Sequence, residues 1–507
     1  MPSRAPLIPV AAVVVSAGCG LAVAVAFPPF GFWWLMPVGL AGLMVTIRGR
    51  RVRGGFAHGL AFGLGNMLPL MGWLTIIGVD AWILLSLLEA LFYGAMGVAW
   101  ACLRPHRWWP LGFAVTWVGA EVLRGVVPFG GMPWGTLAFG LVDTAFVRYG
   151  RLGGTALVSF LALLVVALLV SAVERRRGNR WYGVVGSVGA LVVVGLSLVL
   201  PTGPAGGYAQ VRVAAVQGNV PGAGLDPFFE RRAVLHNHAA TTESYAEEVA
   251  QGTEPRPDLV IWPENSTDID PYADDAAYRE ISAAVRAIAA PTLVGALVVG
   301  PDEDHVQNVG IVWDPRTGPG ERYVKRHPVP FGEYIPFRDV LTMFIDRLDQ
   351  IPRDFTSGQR VGVLDLGGVV VGDVICFEVA YDGLIRDVVD HGAELLVVQT
   401  NNATYTGTGQ LEQQFAISRY RAVETGRALV VAATNGISGV IAADGTVLDV
   451  SAPRTRDVLS EEVTLARGVT LGVRLGFTVE LVLALLGLAS TAYAYLDQRG
   501  LIGKMKQ

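Results

Sequence analysis

Gly372-Asp373-Val374-Ile375-Cys376-Phe377-Glu378-Val379 is the stretch on which the reading of this chain turns. The apolar run Val369 to Ile375 predicts a buried strand that ends on a cysteine, with a carboxylate two residues further on. Strand ends are where a fold presents reactive side chains, because the backbone is fixed while the tip meets a cleft. Cysteine occurs only at Cys19, Cys102 and Cys376, and the first two lie in long apolar runs. Cys376 is therefore alone in the polar part of the chain and has no disulfide partner there. Taken singly, a lone cysteine is as readily a small hydrophobe in a core strand. Glu264 and Lys325 change that reading.

Working outward, the composition sets the frame. The 507 residues are 52% hydrophobic and 16% charged, with mean hydropathy +0.45; a soluble domain carries about 25% charged residues. Part of the chain is thus expected in lipid. The net charge of -5 and the lack of a long basic run give no sign of nucleic-acid binding. Residues 1–200 read as a membrane bundle of seven spans, 201–470 as an inserted globular domain, and 471–507 as a final span with a short tail.

Candidate spans are 7–26, 33–47, 55–74, 82–103, 110–127, 152–173, 182–200 and 471–495. A helix needs about 20 residues to cross the hydrocarbon, so the second is short, and the Phe27-Pro28-Pro29-Phe30-Gly31 break before it is compatible with a hairpin of the first two. Basic residues follow every second span: Arg48, Arg50, Arg51 and Arg53; Arg104 and Arg107; Arg175, Arg176, Arg177 and Arg180; then Arg499, Lys504 and Lys506. Lysine and arginine stay on the cytoplasmic side, so eight spans are expected, with both termini cytoplasmic and 201–470 outside. The start resembles a signal peptide, and Ser16-Ala17-Gly18-Cys19 a lipoprotein cleavage box. Only Arg4 supplies charge, however, and a hydrophobic hairpin follows, so the segment is expected to be retained. Asn265-Ser266-Thr267 and Asn402-Ala403-Thr404 match a glycosylation triplet that is common by chance. The glycine-rich loop 128–151 holds Phe129, Met132, Pro133, Trp134 and Phe139, either as an interfacial anchor or as the floor of a lipid-binding cleft. Glu89 and Glu121 interrupt apolar spans, and Arg124 lies one turn beyond Glu121 as a possible partner.

In 201–470, short β-rich runs alternate with helical patterns. Strands are expected at 211–217, 259–262, 292–299, 309–313, 361–366, 369–375, 395–399 and 429–433, and at 440–443 and 447–450 around an Asp444-Gly445 hairpin turn. Helices are expected at 228–250, 274–289, 380–391 and 410–425. The alternation predicts a layered α/β fold. Two more segment ends carry chemistry. Leu259-Val260-Ile261-Trp262-Pro263-Glu264 stops at a proline and presents a carboxylate; Tyr323-Val324-Lys325-Arg326-His327 offers a lysine ahead of Pro328 and Pro330. Singly, Glu264 could be a helix cap and Lys325 a solvated lysine. Together with Cys376 they supply a base, a cation and a thiol, the parts of thiol-based acyl transfer. The histidines His236, His238, His305, His327 and His391 show no ligand spacing, so no metal and no cofactor is expected.

These residues resemble the nitrilase (carbon–nitrogen hydrolase) superfamily, whose Glu-Lys-Cys triad stands on an α-β-β-α sandwich. The whole chain, membrane part included, resembles the apolipoprotein N-acyltransferase family. The resemblance rests on Val216-Gln217-Gly218-Asn219-Val220-Pro221, on Ile261-Trp262-Pro263-Glu264, on Lys325 to Pro336 (the most specific string) and on Ile375-Cys376-Phe377-Glu378. Thr434-Asn435-Gly436-Ile437-Ser438, Thr116-Trp117 with Glu121 and Arg124, and Pro133-Trp134 also match. There are departures. Asn402-Ala403-Thr404-Tyr405 stands where the family usually reads Asp-Ala-Trp-Phe, Glu412-Gln413 where it reads Gln-His, and Leu225 where a tryptophan is usual.

The resemblance implies a multi-pass protein of the bacterial cytoplasmic membrane with its catalytic domain extracytoplasmic. It implies ping-pong transfer of an acyl chain from a phospholipid, through a thioester on Cys376, to the α-amino group of a diacylglyceryl-cysteine at a lipoprotein N-terminus. Glu264 would be the base and Lys325 the oxyanion stabiliser. Glu333 and Glu378 would orient Lys325 and Glu264, and Tyr334 and Phe377 would support them. Trp134, Met343, Phe344 and Asn402 are the candidate substrate-binding residues. The segment Phe337–Phe355 is apolar yet too charged for a span, and reads either as an amphipathic helix lying on the bilayer as a lid or as a helix on the domain's own core. Two rivals differ in class. A membrane-tethered amidase would use the same triad and release ammonia from a small amide, and a transporter would need a polar midplane path that Glu89 and Glu121 are too few to form.

Overall fold

The computed structural model describes residues 10–175, 180–220, 231–302 and 304–501. Arg4, Arg176, Arg177, Leu225, Lys504 and Lys506, which entered the topology and family readings, lie outside the described residues. The chain divides into two compact units, Met1–Pro201 with Leu475–Gln507, and Thr202–Arg474.

In the first unit every apolar segment holds one helix: α1 (Val10–Ala24), α2 (Leu35–Thr46), α3 (Val52–Leu70), α4 (Val79–Leu103), α5 (Trp109–Arg124), α6 (Gly150–Arg175), α7 (Arg180–Val199) and the C-terminal helix Leu471–Gln498. Among the described residues, Val79–Leu103, Ala145–Glu174 and Leu471–Gln498 are long and apolar enough to cross a membrane. Small residues set the packing: a Cβ on Gly55, Gly59 or Gly63 of α3 would strike Gly97, Tyr93 or Ala90 of α4. Such stripes let helices approach where hydrophobicity alone cannot drive association. The buried polar groups pair differently from the one-turn spacing. Arg124 binds Glu89 of α4 at 3.0 Å and the carbonyls of Met132 and Trp134. Glu121 instead accepts from Trp117 Nε1 at 2.9 Å and from the Leu137 amide at 2.8 Å. One guanidinium nitrogen, Nη1, reaches across helices to a carboxylate and a loop at once, which a same-helix neighbour could not satisfy.

The second unit is a four-layer α-β-β-α sandwich. One sheet holds β1 (Gly207–Gln217), β2 (Leu259–Ile261), β3 (Thr292–Val299), β4 (His305–Asp314), β5 (Gly318–Val324), β6 (Asp354–Phe355) and β13 (Asp457–Ala466), in the order β13-β1-β2-β3-β4-β5 with β6 beside β4. The other holds β7 (Val363–Leu366), β8 (Val369–Ile375), β9 (Leu395–Thr400), β10 (Leu429–Ala433), β11 (Gly439–Ile441) and β12 (Val447–Val450), in the order β12-β11-β10-β9-β8-β7. The strand period of two divides each strand between cores. Val211, Val213 and Ala215 of β1 meet Val371, Ile375, Leu395 and Val430 between the sheets. Ala214 and Val216 face outward to α8 (Arg231–Gln251) and α9 (Asp275–Ile288) through Leu235, Ala239, Ile281 and Val285. After the single turn α10 (Arg338–Leu341), α11 (Asp382–Asp390) and α12 (Gln410–Thr425) cover the second sheet, with Val388 against Gly372 of β8. The Asp444-Gly445 turn joins β11 to β12 antiparallel, and Gly445 takes the positive φ of 86° that such a turn needs.

Three strands, β5, β6 and β13, go beyond the sequence-based assignment. β5 and β13 are the two ends of their sheet's strand path, and their glycines and glutamates (Gly318, Gly320, Glu461, Glu462) give weak strand propensity. The expected amphipathic helix over Phe337–Phe355 is also not continuous. It resolves into α10, a 3₁₀ turn over Asp346–Gln350 and β6. Arg338 pairs with Asp354 and Leu348 is buried, so the chain folds back instead of extending as one helix.

Candidate active site

Glu264 is the first element of the site. β2 ends at Ile261, Trp262 is buried in the outer core, and Pro263 turns the chain so that Glu264 points inward. A Cβ on Gly295 of β3 would overlap the Pro263 carbonyl and Glu264 Cα, so that turn depends on the missing side chain. Glu264 Oε1 accepts from Asn308 Nδ2 at 2.6 Å and Lys325 Nζ at 3.0 Å. Its Oε2 accepts from the Asn401 amide at 2.6 Å. Lys325 follows β5, where its own amide is held by the Asn308 carbonyl at 2.9 Å. Its Nζ also donates to Glu333 Oε1 at 2.9 Å, and Glu333 Oε2 accepts from the Val329 amide at 2.7 Å. Burial disfavours the ammonium, but Glu264 and Glu333, with Cys376, outweigh it and hold the amine well above the usual lysine range.

Cys376 stands where β8 gives way to a 3₁₀ turn, Cys376–Ala380, with φ at 56°. A cysteine in this left-handed region is strained, and the strain is held by packing and hydrogen bonds on both sides. Burial pushes the thiol up to about 12; Glu264 adds to this, while Lys325 and the Thr400 hydroxyl at 3.4 Å from Sγ oppose it. Burial thus favours the protonated thiol over the thiolate.

Of the expected supporting residues, Glu333 does contact Lys325. Glu378 contacts neither Lys325 Nζ nor Glu264. Fully buried, it accepts from the Arg326 and His327 amides at 2.8 and 2.9 Å, from the Ile375 amide at 2.8 Å and from the Tyr323 hydroxyl at 2.9 Å. Three residues past Ile375, its side chain folds back over the turn and ties the lysine loop to the cysteine turn through their backbones. Phe377 is buried edge-on to Tyr381 at 5.6 Å, and Tyr334 pairs through its carbonyl with the Phe331 amide. Asn402 is buried with its Oδ1 where a Cβ on Gly436 would lie. Trp134 belongs to the first unit, buried 5.8 Å from Trp73. Met343 and Phe344 are 68% and 77% exposed.

Residues 212–471 match the carbon-nitrogen hydrolase family, and residues 19–168 match the apolipoprotein N-acyltransferase N-terminal domain. An apolipoprotein N-acyltransferase of Mycolicibacterium smegmatis is 38% identical over 94% of this chain and 84% of its own. The chain belongs to the apolipoprotein N-acyltransferase family. A second member, from Methylococcus capsulatus, is 30% identical over 89% of this chain and 90% of its own. An amidase from Nesterenkonia sp. is similar over 52% of this chain and 92% of its own, at 19% identity and a TM-score of 0.35.

Within this family member, several residues of the site were not legible from motifs. Asn308 bridges Glu264 and Glu333 from inside β4; an asparagine beside an apolar run was its only signal. The Tyr405 phenol is raised first by burial and then by Cys376, Glu333 and Glu264, which sets it among the acidic groups of the site. It occupies the last position of the Asn402–Tyr405 departure, so that departure falls at the site itself. Asp373 is buried, and burial followed by Glu378 and Glu264 holds its carboxyl well above the carboxylate range.

Proposed function

We propose that this acyltransferase moves a fatty acyl chain from a membrane phospholipid to the N-terminal amine of a diacylglyceryl-modified apolipoprotein, with Cys376 as nucleophile. One observation carries the reading: Lys325 Nζ is clamped at 3.0 and 2.9 Å by Glu264 and Glu333, and both Lys325 and Glu264 act electrostatically on the strained Cys376 thiol. Glu264 takes the thiol proton as Sγ attacks the acyl ester carbon. The oxyanion forms against Lys325 and a backbone N–H beside Cys376. The ester C–O bond breaks, Glu264 returns the proton to the departing oxygen, and a lysophospholipid leaves. The acceptor amine then attacks the thioester and Glu264 takes its proton. The tetrahedral centre expels the sulfur, which is reprotonated, and the amide is released. A buried cation with two carboxylate partners suits this sequence, because Glu333 keeps its hydrogen bond to Lys325 while Glu264 carries the proton. The test is intact mass after incubation with phospholipid alone: a fatty-acyl adduct on Cys376 is expected. Ammonia release from small amides with no such adduct would favour an amidase.

The eight helices are proposed as spans, with both termini cytoplasmic and Thr202–Arg474 outside; the basic residues at Arg48–Arg53, Arg104 and Arg107 support this. A cysteine introduced at Arg107 should react with an impermeant reagent only from the cytoplasm, and one at Gly252 only from outside. The reverse pattern would overturn the placement.

Phe337, Val340, Met343 and Phe344, which follow Glu333 in the chain, are exposed apolar side chains, which supports a lipid-facing role. Burying Met343 and Phe344 in lipid would contribute roughly 3–6 kcal/mol at most. Changing both to serine should slow Cys376 acylation by bilayer phospholipid at least about tenfold more than acylation by a short soluble ester. Equal slowing with both donors would sink this role.

A further inference from the structure

Thr400 ends β9, one residue past Gln399, which pairs with Ile375, the residue before the nucleophile. Its Oγ1 lies 3.4 Å from Cys376 Sγ and receives Gln414 Nε2 at 3.0 Å. Gln414 Oε1 in turn receives Gln410 Nε2 at 2.8 Å, from one turn earlier on α12. All three side chains are buried. A hydroxyl has one proton to give, and an amide donates only from its nitrogen. Gln410 fills the Gln414 oxygen, which turns the Gln414 nitrogen toward Thr400. That nitrogen fills the acceptor side of the hydroxyl, and the hydroxyl proton is left facing the sulfur.

We infer that Thr400, aimed by the Gln410–Gln414 pair, is a positioning residue that donates a hydrogen bond to the Cys376 sulfur and favours it as an anion. The inference rests on Cys376 being the nucleophile proposed above. No proton is transferred along this chain; the thiol proton goes to Glu264, and Thr400 keeps its own. The bond serves twice, when the sulfur gains negative charge in attack and when it departs as the amine displaces it. Hydrogen bonds to an ionised partner are about twice as strong as neutral ones, so the contact weakens the proton's hold on sulfur without supplying a charge.

The test is the rate at which iodoacetamide alkylates Cys376, mapped by mass spectrometry on the full chain in detergent at about pH 8. Thr400→Val should slow alkylation about three- to tenfold, the lower figure allowing for the greater nucleophilicity of a more basic thiolate. Thr400→Ser should stay within about twofold of the wild type, and Gln414→Met, which removes the aiming donor, should fall between. Melting temperatures identify any variant that does not fold, and if Thr400→Val is one, Gln414→Met against Thr400→Ser decides. Wild-type rates in Thr400→Val or Gln414→Met would overturn the inference, and so would equal slowing in Thr400→Ser and Thr400→Val, which means packing alone. Failure of the wild type to form a phospholipid adduct would overturn the nucleophile reading instead. An adduct with unchanged alkylation across the variants overturns only the role of Thr400.

Discussion

Cys376→Ser and Glu264→Gln should each lower acyl transfer by at least about a thousandfold, because members of a cooperating unit are nearly as costly to lose singly as together. Serine keeps the volume and the Thr400 neighbour but has a far less acidic proton to surrender. Glutamine keeps the oxygen that Lys325 and Asn308 bind and loses the capacity to accept a proton. It also sets an NH₂ against the Asn401 amide, which donates to Glu264 Oε2 at 2.6 Å. An unsatisfied buried donor costs about 1–3 kcal/mol, so Glu264→Gln should melt lower than Cys376→Ser while both remain folded. Transfer to a lipopeptide and acyl-adduct mass, read beside melting curves, check this. More than a few per cent of wild-type activity in either folded variant would remove that residue from the chemistry.

Arg421→Met should be the most destabilising single change in the second unit, by about 3–5 kcal/mol, the usual cost of stranding buried charge. Arg421 is fully buried on α12. It donates to the Val379 and Ala380 carbonyls at 2.8 and 2.9 Å, and to Asp382 and Glu424 at 2.7 Å each. Val379 and Ala380 lie in the turn that begins at Cys376, so acylation should slow as stability falls. The effect has a pH signature. Burial pushes Glu424 up to about 7 although Arg421 pulls it down. Its folded value therefore lies above the unfolded value near 4.5, and the folded chain holds more protons between them. This group's contribution is full below about 4.5 and is lost as pH rises through about 7. Without Arg421 the folded value climbs further, so the variant's deficit should be smaller at about pH 5 than at about pH 8. Denaturant melts of the full chain in detergent at the two pH values measure it. A loss under about 1 kcal/mol, or a deficit larger in acid, would show that Arg421 does not neutralise this cluster.

Much of the architecture is local in origin and could be read along the chain. The apolar runs over Thr292–Val299 and Val369–Ile375, the Asp444-Gly445 turn and the apolar segments now seen as helices all follow from which residues must leave water. The same holds for Glu264, Lys325 and Cys376 at segment ends, since a polar residue closing an apolar strand has few places to go. The pairing of polar groups is another matter. Asn401 reaches Glu264 across 137 residues, and Glu378 reaches the lysine loop across 52 and 51. Arg124 chose Glu89, 35 residues away, over Glu121 one turn back. Hydrophobic burial is additive and shows as a pattern along the chain. A buried hydrogen bond needs one donor and one acceptor brought within about 3 Å, and that distance exists only after the two sheets have closed. So the sequence by itself determined the layers, the strand ends and the three residues proposed to react. Only the tertiary structure decided that Glu378 clamps backbone amides, that Asn308 joins the two carboxylates, and that Thr400 faces the sulfur.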